Sequence, residues 1–227
     1  MAKGAYVGVE GVARKSKGGY IGIEDLARKI VKAYTGVGNV ARPCWSANKV
    51  ISYYGTATEL SVARYGLAAA SVGNYALFGG GYAGSSYSAV VDAYDASLVR
   101  STPTALSLER YSLAAASIGN YALFGGGSAT STVVDAYDSS LVRSTPTALS
   151  SGRRSLAAAS VGNYALFGGG NSSAVVDAYD SSLVRSIPTA LSTARSSLAA
   201  ASVGNYALFG GGHTTPSLAN VDVYQVI

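Results

Sequence analysis

The residues that could carry acid–base or metal chemistry are few in this chain. It holds one histidine, His213, and one cysteine, Cys44. A Ser/His/Asp triad needs a base held by fixed partners, and the sequence around His213 offers none. A zinc site needs three or four ligands, usually His and Cys. We therefore expect no enzymatic activity, no metal and no cofactor.

The aspartates recur in a pattern that favours a structural role over a catalytic one. Two of them stand in each of three successive DAYD strings: Asp92 and Asp95, Asp135 and Asp138, Asp177 and Asp180. An active site is usually asymmetric, whereas these pairs repeat identically. We expect them to cap turns or to pair with Arg100, Arg143 and Arg185, which follow five residues after each second aspartate.

Glycine triplets and basic residues could each indicate a phosphate or nucleic-acid site. No Gly-Lys-Ser/Thr follows the triplets and no helix is predicted after them, so they are interpreted as strand ends where backbones approach closely. Residues 1–49 hold nine Lys/Arg and three Asp/Glu, against eight and nine in the rest. These charges alternate with apolar residues at hairpin spacing, which favours a solvated or partner-bound sheet over a nucleic-acid surface.

Tyrosine and arginine gather in variable loops, where they are typical anchors for polar ligands, sugars included, and for protein interfaces. Tyr82 and Tyr87 share one loop, with Tyr65 and Tyr111 in the flanking connections. The candidate ligand-binding face comprises Tyr65, Tyr82, Tyr87, Tyr111, Arg64, Arg110, Arg154 and His213. The alternative, scattered surface aromatics, stays open.

Four internal repeats must position these residues. The string YALFGGG begins at Tyr75, Tyr121, Tyr164 and Tyr206, with spacings of 46, 43 and 42 residues. Each repeat reads LAAAS, a Gly-Asn turn, YALFGGG, a variable stretch, VVDAYD and SLVRSTPTALS or a close variant. Each piece has the length and boundaries of a strand. The order predicts four antiparallel strands per repeat, and the period is that of a propeller blade.

The repeats differ mainly in two loops. The turns between the first and second strands, and between the third and fourth, hardly vary, whereas the loops after YALFGGG and before LAAAS do. In an antiparallel meander these two variable loops emerge on the same side. This favours a binding face there, and neutral drift in exposed loops is the alternative.

The ends of the repeat region predict a closed ring. The last repeat lacks a fourth strand, and residues 50–60 align with the fourth-strand segment of the other repeats. Pairing residues 50–60 with residues 219–225 would leave no exposed sheet edge. If the first strands lie innermost, their small alanines, Ala68–Ala70 and equivalents, would face the axis; close sheet packing elsewhere explains them equally.

A family resemblance follows from two further features. Glycine doublets (Gly79-Gly80, Gly125-Gly126, Gly168-Gly169, Gly210-Gly211) and later tyrosines (Tyr94, Tyr137, Tyr179, Tyr224) stand in the order of the kelch motif, which residues 47–227 resemble. The resemblance implies a four-bladed kelch-like β-propeller within an all-β chain. The tryptophan typical of the fourth kelch strand is absent, and the repeats are shorter than about 50 residues.

Residues 1–46 repeat on a different period of 14 residues, with the unit Y-x-G-[VI]-x-x-[VL]-A-R. We interpret each copy as a hairpin, with turns at Glu10-Gly11 and Gly38-Asn39; the middle copy could equally be a helix. The candidate attachment residues are Tyr6, Arg14, Tyr20, Arg28, Tyr34 and Arg42. This arm resembles the N-terminal segments of tail- or fibre-type structural proteins from phages and prophages of Gram-positive bacteria.

The two resemblances together imply a phage virion protein that forms a homo-oligomer. The arm would anchor it to other virion proteins, and the propeller would present a ligand-binding face to a host-surface glycan or protein. Two alternatives remain: a capsid or tail decoration protein with a structural role, and an intracellular kelch-type adaptor. The N-terminus lacks a secretory signal pattern and no segment is long enough to span a bilayer. We expect synthesis in the host cytoplasm, no membrane insertion and no nucleic-acid partner.

Overall fold

A computed structural model describes residues 51–128 and 131–226 in full. Within residues 1–50 it describes the backbone of six short strands. The contacts divide the chain into two units, Met1–Gly55 and Thr56–Ile227. The sequence placed its division a few residues earlier, after residue 46. Every regular element in the described residues is a β-strand, so the all-β prediction is confirmed.

The first unit contains three antiparallel hairpins. Their strands are β1 (Tyr6–Val9) with β2 (Val12–Lys15), β3 (Tyr20–Ile23) with β4 (Leu26–Lys29), and β5 (Lys32–Val37) with β6 (Val40–Ser46). The register is shared, because Tyr6 lies opposite Lys15 and Tyr20 opposite Lys29. The middle copy is therefore a hairpin and not a helix. The expected turn residues Glu10-Gly11 and Gly38-Asn39 lie outside the described residues, as do the side chains of the six attachment residues.

The second unit contains four sheets, one per repeat. Sheet 1 comprises β7 (Ala68–Val72), β8 (Tyr75–Gly79), β9 (Val91–Tyr94) and β10 (Arg100–Ser101). Sheet 2 comprises β11 (Ala114–Ile118), β12 (Tyr121–Gly125), β13 (Val134–Asp138) and β14 (Arg143–Ser144). Sheet 3 comprises β15 (Ala157–Val161), β16 (Tyr164–Gly168), β17 (Val176–Asp180) and β18 (Arg185–Ser186). Sheet 4 comprises β19 (Ala199–Val203), β20 (Tyr206–Gly210) and β21 (Val221–Gln225).

Each sheet is an antiparallel meander whose strands pair in chain order. The first hairpin closes over Gly73-Asn74, where Gly73 has a φ of +53°. A two-residue hairpin with glycine first needs this conformation, and L-residues with a side chain rarely adopt it. The same turn recurs in every sheet, because each repeat has Gly-Asn at this place.

Neighbouring sheets pack through one repeated junction. We call the face of a sheet that contacts the next sheet in the chain its forward face, and the face that contacts the preceding sheet its rear face. The forward face of sheet 1 presents Leu77, Val91 and Ala93; the rear face of sheet 2 presents Ala122, Phe124 and Tyr137. Equivalent residues form the junctions between sheets 2 and 3 and between sheets 3 and 4. Sheets 2 and 3 are therefore covered on both faces, which explains why β12 and β16 are apolar along most of their length.

At the centre of each junction a phenyl ring lies against a glycine. A Cβ added to Gly79 would lie 2.8 Å from the ring of Phe124. The corresponding distances are 2.7 Å from Gly125 to Phe167 and 2.8 Å from Gly168 to Phe209. No real side chain fits at such separations, so the first glycine of the triplets in sheets 1 to 3 is required by the ring of the next sheet.

Ion pairs connect the linker before each sheet to that sheet, and all but the last of them are fully buried. The pairs join Arg64 to Asp92, Arg110 to Asp135, Arg153 to Asp177 and Arg195 to Asp222. Arg110 also donates to the carbonyl oxygens of Gly126 and Val133, both at 2.8 Å. The arginine thereby holds the ends of two strands as well as the carboxylate.

The expected roles of the repeated aspartates are confirmed. Asp135 also accepts a hydrogen bond from a second arginine, Arg143, at 3.1 Å, and Arg100 and Arg185 make the equivalent contacts. Asp138 caps its turn by accepting from the backbone N–H groups of Ser140 (2.8 Å) and Val142 (2.9 Å). Asp95 and Asp180 do the same in their own turns.

The ionisation of these groups follows from their partners. Burial acts to raise the pKa of Asp92, but hydrogen bonds from Ser61 and Arg64 outweigh it and hold the pKa below its ordinary value. Asp222 has a lowered pKa for the same reason, through Ser192 and Arg195. Burial and the nearby Asp222 raise the pKa of Tyr224 to about 12, so its hydroxyl stays protonated and donates to Thr189 O at 2.8 Å.

The predicted closing strand is not formed. Residues 51–60 carry no strand, and among the described residues β21 pairs only with β20, so sheet 4 has three strands. Thr58 O instead accepts from the Tyr94 hydroxyl at 2.7 Å, and Ser61 N donates to Asp92 at 3.1 Å. Thr104 and Ser107 bind sheet 2 in the same way. The alignment of the two segments was correct, but these hydrogen bonds tie the segment to the sheet that follows it.

The first strands of the four sheets line one concave surface. Its lining is alanine and serine, two alanines and one serine from each of β7, β11, β15 and β19. The serines form a ladder in which Ser117 donates to Ser71 O (2.6 Å), Ser160 to Ser117 O (2.5 Å) and Ser202 to Ser160 O (2.5 Å). Small side chains allow these strands to lie this close together.

We expect Asp135→Asn to destabilise the second unit by about 3–5 kcal/mol, because it leaves the buried Arg110 without its counter-charge. Asp138→Asn is the matched control, since an asparagine oxygen can still accept the turn hydrogen bonds; it should cost less than about 1 kcal/mol. Denaturant unfolding of the full chain measures both. Equal losses would show that the ion pair is not what stabilises the linker.

Acid should destabilise the protein through Asp92 and Asp222. Because both pKa values are lowered in the folded chain, the unfolded chain takes up protons first on acidification. The stability is therefore fully present above the ordinary pKa of about 4 and is lost as the pH falls through the folded values. Unfolding curves between pH 6 and 2.5 test this. The Asp222→Asn substitution should make the free energy of unfolding depend less steeply on pH. A free energy of unfolding that did not fall in acid would contradict the assignment.

Candidate functional site

Four of the candidate tyrosines form one cluster. Tyr82 lies at its centre, with ring centroids 5.4 Å from Tyr65, 5.9 Å from Tyr87 and 6.1 Å from Tyr111. Tyr87 stacks on Tyr111 at 4.7 Å with 22° between the planes. The tyrosine cluster, as we call these four residues, unites one loop of sheet 1 with the linkers that precede sheets 1 and 2.

The backbone holds this loop against the linker. Tyr65 N donates to Tyr82 O at 3.1 Å, and Tyr82 N donates to Tyr65 O at 2.7 Å. Ala83 N donates to Ser86 O at 3.0 Å across the tip of the loop. The loop is therefore a small hairpin, and Tyr82 and Tyr87 face each other across it as a bridged pair.

Arg154 adds a positive charge beside the aromatic rings. Its guanidinium donates to the Tyr111 hydroxyl at 2.7 Å, and its Cζ lies 5.9 Å from the centroid of that ring. This distance is within the range of a cation–π interaction. The residue is exposed, so the guanidinium can serve a ligand as well as the tyrosine.

Two of the candidate arginines are placed elsewhere. Arg64 and Arg110 were expected on the binding face, but both side chains are 0% exposed and pair with Asp92 and Asp135. They belong to the core. A signal was present in the sequence, because an arginine recurs at this place in every repeat, as the aspartates do; Arg154 stands one position beyond the recurring Arg153.

His213 lies in the equivalent loop of sheet 4, in the position that Tyr82 has in sheet 1. It is exposed, and its backbone exchanges hydrogen bonds with Ser196, 2.7 Å and 3.2 Å long. Ser128 and Asn171 occupy this position in the other two repeats. At this loop position a tyrosine therefore stands only in the first of the four repeats.

The turns that do not vary among the repeats have a packing explanation. A Cβ on Gly73 would lie 3.1 Å from Ser139 of the next sheet, and one on Gly162 would lie 3.0 Å from Val226. These turns contact the neighbouring sheet, which restricts them. Packing thus explains why these turns do not vary, and the evidence for a binding face is the tyrosine cluster rather than the difference between loops and turns.

The chemistry available at this site is recognition. Tyrosine rings offer apolar faces and hydroxyl groups, and the guanidinium donates to oxygen acceptors. Among the described residues, no group of three or more His, Cys, Asp or Glu could hold a metal ion. The same part of the chain has no helix long and apolar enough to cross a membrane.

No protein-family model matches the chain, and no curated protein sequence matches it.

Proposed function

We propose that this chain is a non-enzymatic phage virion component whose tyrosine cluster attaches the particle to a host surface. The observation that carries the proposal is the cluster of four tyrosines with Arg154 beside it. The ligand we propose is a host-surface glycan. Sugars present C–H faces that stack on aromatic rings and hydroxyl groups that pair with tyrosine and arginine.

The second unit is proposed to supply four blades of a kelch-like β-propeller. Four sheets packed in series support this, together with first strands that line a common concave surface. In such a fold the loops of one side form a platform on rigid sheets. Binding groups held by packed elements lose little entropy when a ligand arrives.

The first unit is proposed to be the attachment arm. Its support is the excess of basic residues in residues 1–49 and the three hairpins of shared register. Two-stranded hairpins have unpaired edges and marginal stability alone, so they are suited to pairing with other virion proteins or with further copies of the chain.

A decoration protein of the capsid or tail is the second candidate. The observation that favours it is the exposure of Val203, Val221 and Val223 on the last sheet. Exposed apolar surface of this kind is usual where proteins assemble.

Replacing Tyr82, Tyr87 or Tyr111 with Ala should weaken ligand binding by about 1–3 kcal/mol each, or about 5- to 150-fold in Kd. The loops carry little of the core, so the melting temperature should change little. Tyr164→Ala is the matched control, because Tyr164 is 37% exposed against 41% for Tyr87 and lies outside the tyrosine cluster. Binding is measured on host cells, purified wall polysaccharide and a glycan array. Wild-type binding by the cluster variants, with failed incorporation into particles, would replace host attachment by the decoration role.

Changing Arg14, Arg28 and Arg42 together to Ser should reduce incorporation into virions while leaving glycan binding by the second unit intact. The reason is that these positions supply charge to the arm and lie outside the glycan-binding unit. The triple Arg→Lys variant keeps the charge and serves as control. Particle incorporation is measured by immunoblot of purified virions. Normal incorporation of the serine variant would exclude an electrostatic anchoring role for these arginines.

A further inference from the structure

Among the described residues, the two end sheets each leave one face without a neighbour. On the forward face of sheet 4, Val203, Val221 and Val223 are 63%, 55% and 56% exposed. Their equivalents in sheet 3, Val161, Val176 and Ala178, are buried by sheet 4. Sheet 4 therefore presents the same apolar surface that the chain buries at each of its internal junctions.

At the internal junctions, the position over the first glycine of the triplet holds a phenyl ring of the next sheet; we call this position the glycine socket. Among the described residues, the socket of sheet 4 is empty. A Cβ on Gly210 would meet only Val221 of its own sheet, at 3.6 Å, whereas the equivalent glycines in sheets 1 to 3 meet a phenyl ring of the next sheet. Gly204 has nothing within 4 Å, although the equivalent Gly73, Gly119 and Gly162 all contact the following sheet.

The rear face of sheet 1 is the matching half. Phe78 is partly exposed, while Phe124, Phe167 and Phe209 are fully buried. Ala76 is exposed, while Ala122, Ala165 and Ala207 are fully buried. Sheet 1 thus carries an unused phenyl ring, and sheet 4 carries an unused socket for one.

Backbone groups at the two ends match in the same way. At the internal junctions the carbonyl oxygens of Arg110, Arg153 and Arg195 accept from Gly81 N (2.9 Å), Gly127 N (2.8 Å) and Gly170 N (2.8 Å). Gly212 N and Arg64 O are the corresponding donor and acceptor at the ends. The serine ladder likewise runs from Ser71 in sheet 1 to Ser202 in sheet 4 within the described residues.

We propose that the forward face of sheet 4 binds the rear face of sheet 1 of a second copy of this chain. Phe78 of each copy fills the Gly210 socket of the other, and Gly212 N donates to Arg64 O across each contact. Two copies then close into one ring of eight sheets. The proposal depends on the junction geometry and not on the ligand of the tyrosine cluster.

A second copy is the occupant because this chain holds both halves of a junction that it already forms three times with the same residue types. Within one molecule both halves stay exposed, so its own sheet 1 does not cover sheet 4. Contacts of this head-to-tail kind generate a closed ring when the rotation closes and an open filament when it does not. In a dimer with two-fold symmetry, the exposed faces of sheets 1 and 4 in each copy are both covered by the other copy.

At micromolar concentration, the molecular mass of the wild-type full chain measured by sedimentation should therefore be about twice the 22.9 kDa of one chain. Gly210→Leu should raise the dimer dissociation constant at least tenfold, because the added side chain fills the socket. The monomer should stay folded, since the Cβ meets its nearest neighbour at ordinary contact distance. Ala76→Lys should have the same effect from the other face. Val142→Lys is the control, because Val142 (62% exposed) is as exposed as Val203 (63%) but lies in a turn of sheet 2.

A mixture of the Gly210→Leu and Ala76→Lys variants distinguishes the proposed contact from any other contact between copies. The Gly210→Leu chain keeps its rear face and the Ala76→Lys chain keeps its forward face, so a mixture should form heterodimers through one intact junction. Circular dichroism and melting curves confirm that each variant is folded. A monomeric wild type, or filaments that grow with concentration, would overturn the closed pair. So would a dimer that both variants leave unchanged but that the arginine variants of the arm abolish.

Discussion

The close contact between a phenyl ring and a bare backbone is the constraint on which the second unit depends. At Gly79, Gly125 and Gly168 the ring of the following sheet lies within 2.8 Å of the position that a Cβ would take. A void or a clash at this point would separate two sheets, since protein interiors tolerate little change in volume. The string YALFG therefore encodes both halves of the junction, the phenylalanine for the sheet behind and the glycine for the sheet ahead.

The buried arginine–aspartate pairs fix the linkers, and through them the tyrosine cluster. Tyr65 follows Arg64 and Tyr111 follows Arg110, so each of these tyrosines is attached to an anchored residue. A buried pair is weak evidence for stability but is strongly destabilising when one partner is lost. Here the pairs fix position: the exposed Tyr65 and the half-buried Tyr111 lie on linkers that cannot shift without separating a buried charge pair.

The sequence predicted the repeated strands and turns, and it misplaced two arginines and the closing strand. The strands, their order, the capping aspartates and the hairpins of residues 1–46 followed from period and turn residues, and they are observed. Arg64 and Arg110 were misplaced because they stand next to exposed tyrosines, although their recurrence indicated the core. The closing strand was wrong because alignment shows which segments are equivalent, while hydrogen bonds from Tyr94 and to Asp92 determine the sheet that a segment joins. The stacking of Tyr87 on Tyr111 could not be read from the sequence, since it depends on how a loop of sheet 1 packs against the linker before sheet 2.

The presence of both junction halves in every repeat has a consequence for how such a chain changes over generations. Recombination between nearly identical copies can add or delete one whole unit, and the new neighbours meet through the same phenylalanine and glycine without any compensating substitution. Stability in such arrays is approximately a sum over units and nearest-neighbour interfaces. The copy number can therefore drift while each boundary stays well packed, and a lineage can alter the size of its array faster than it alters the sequence of any one unit.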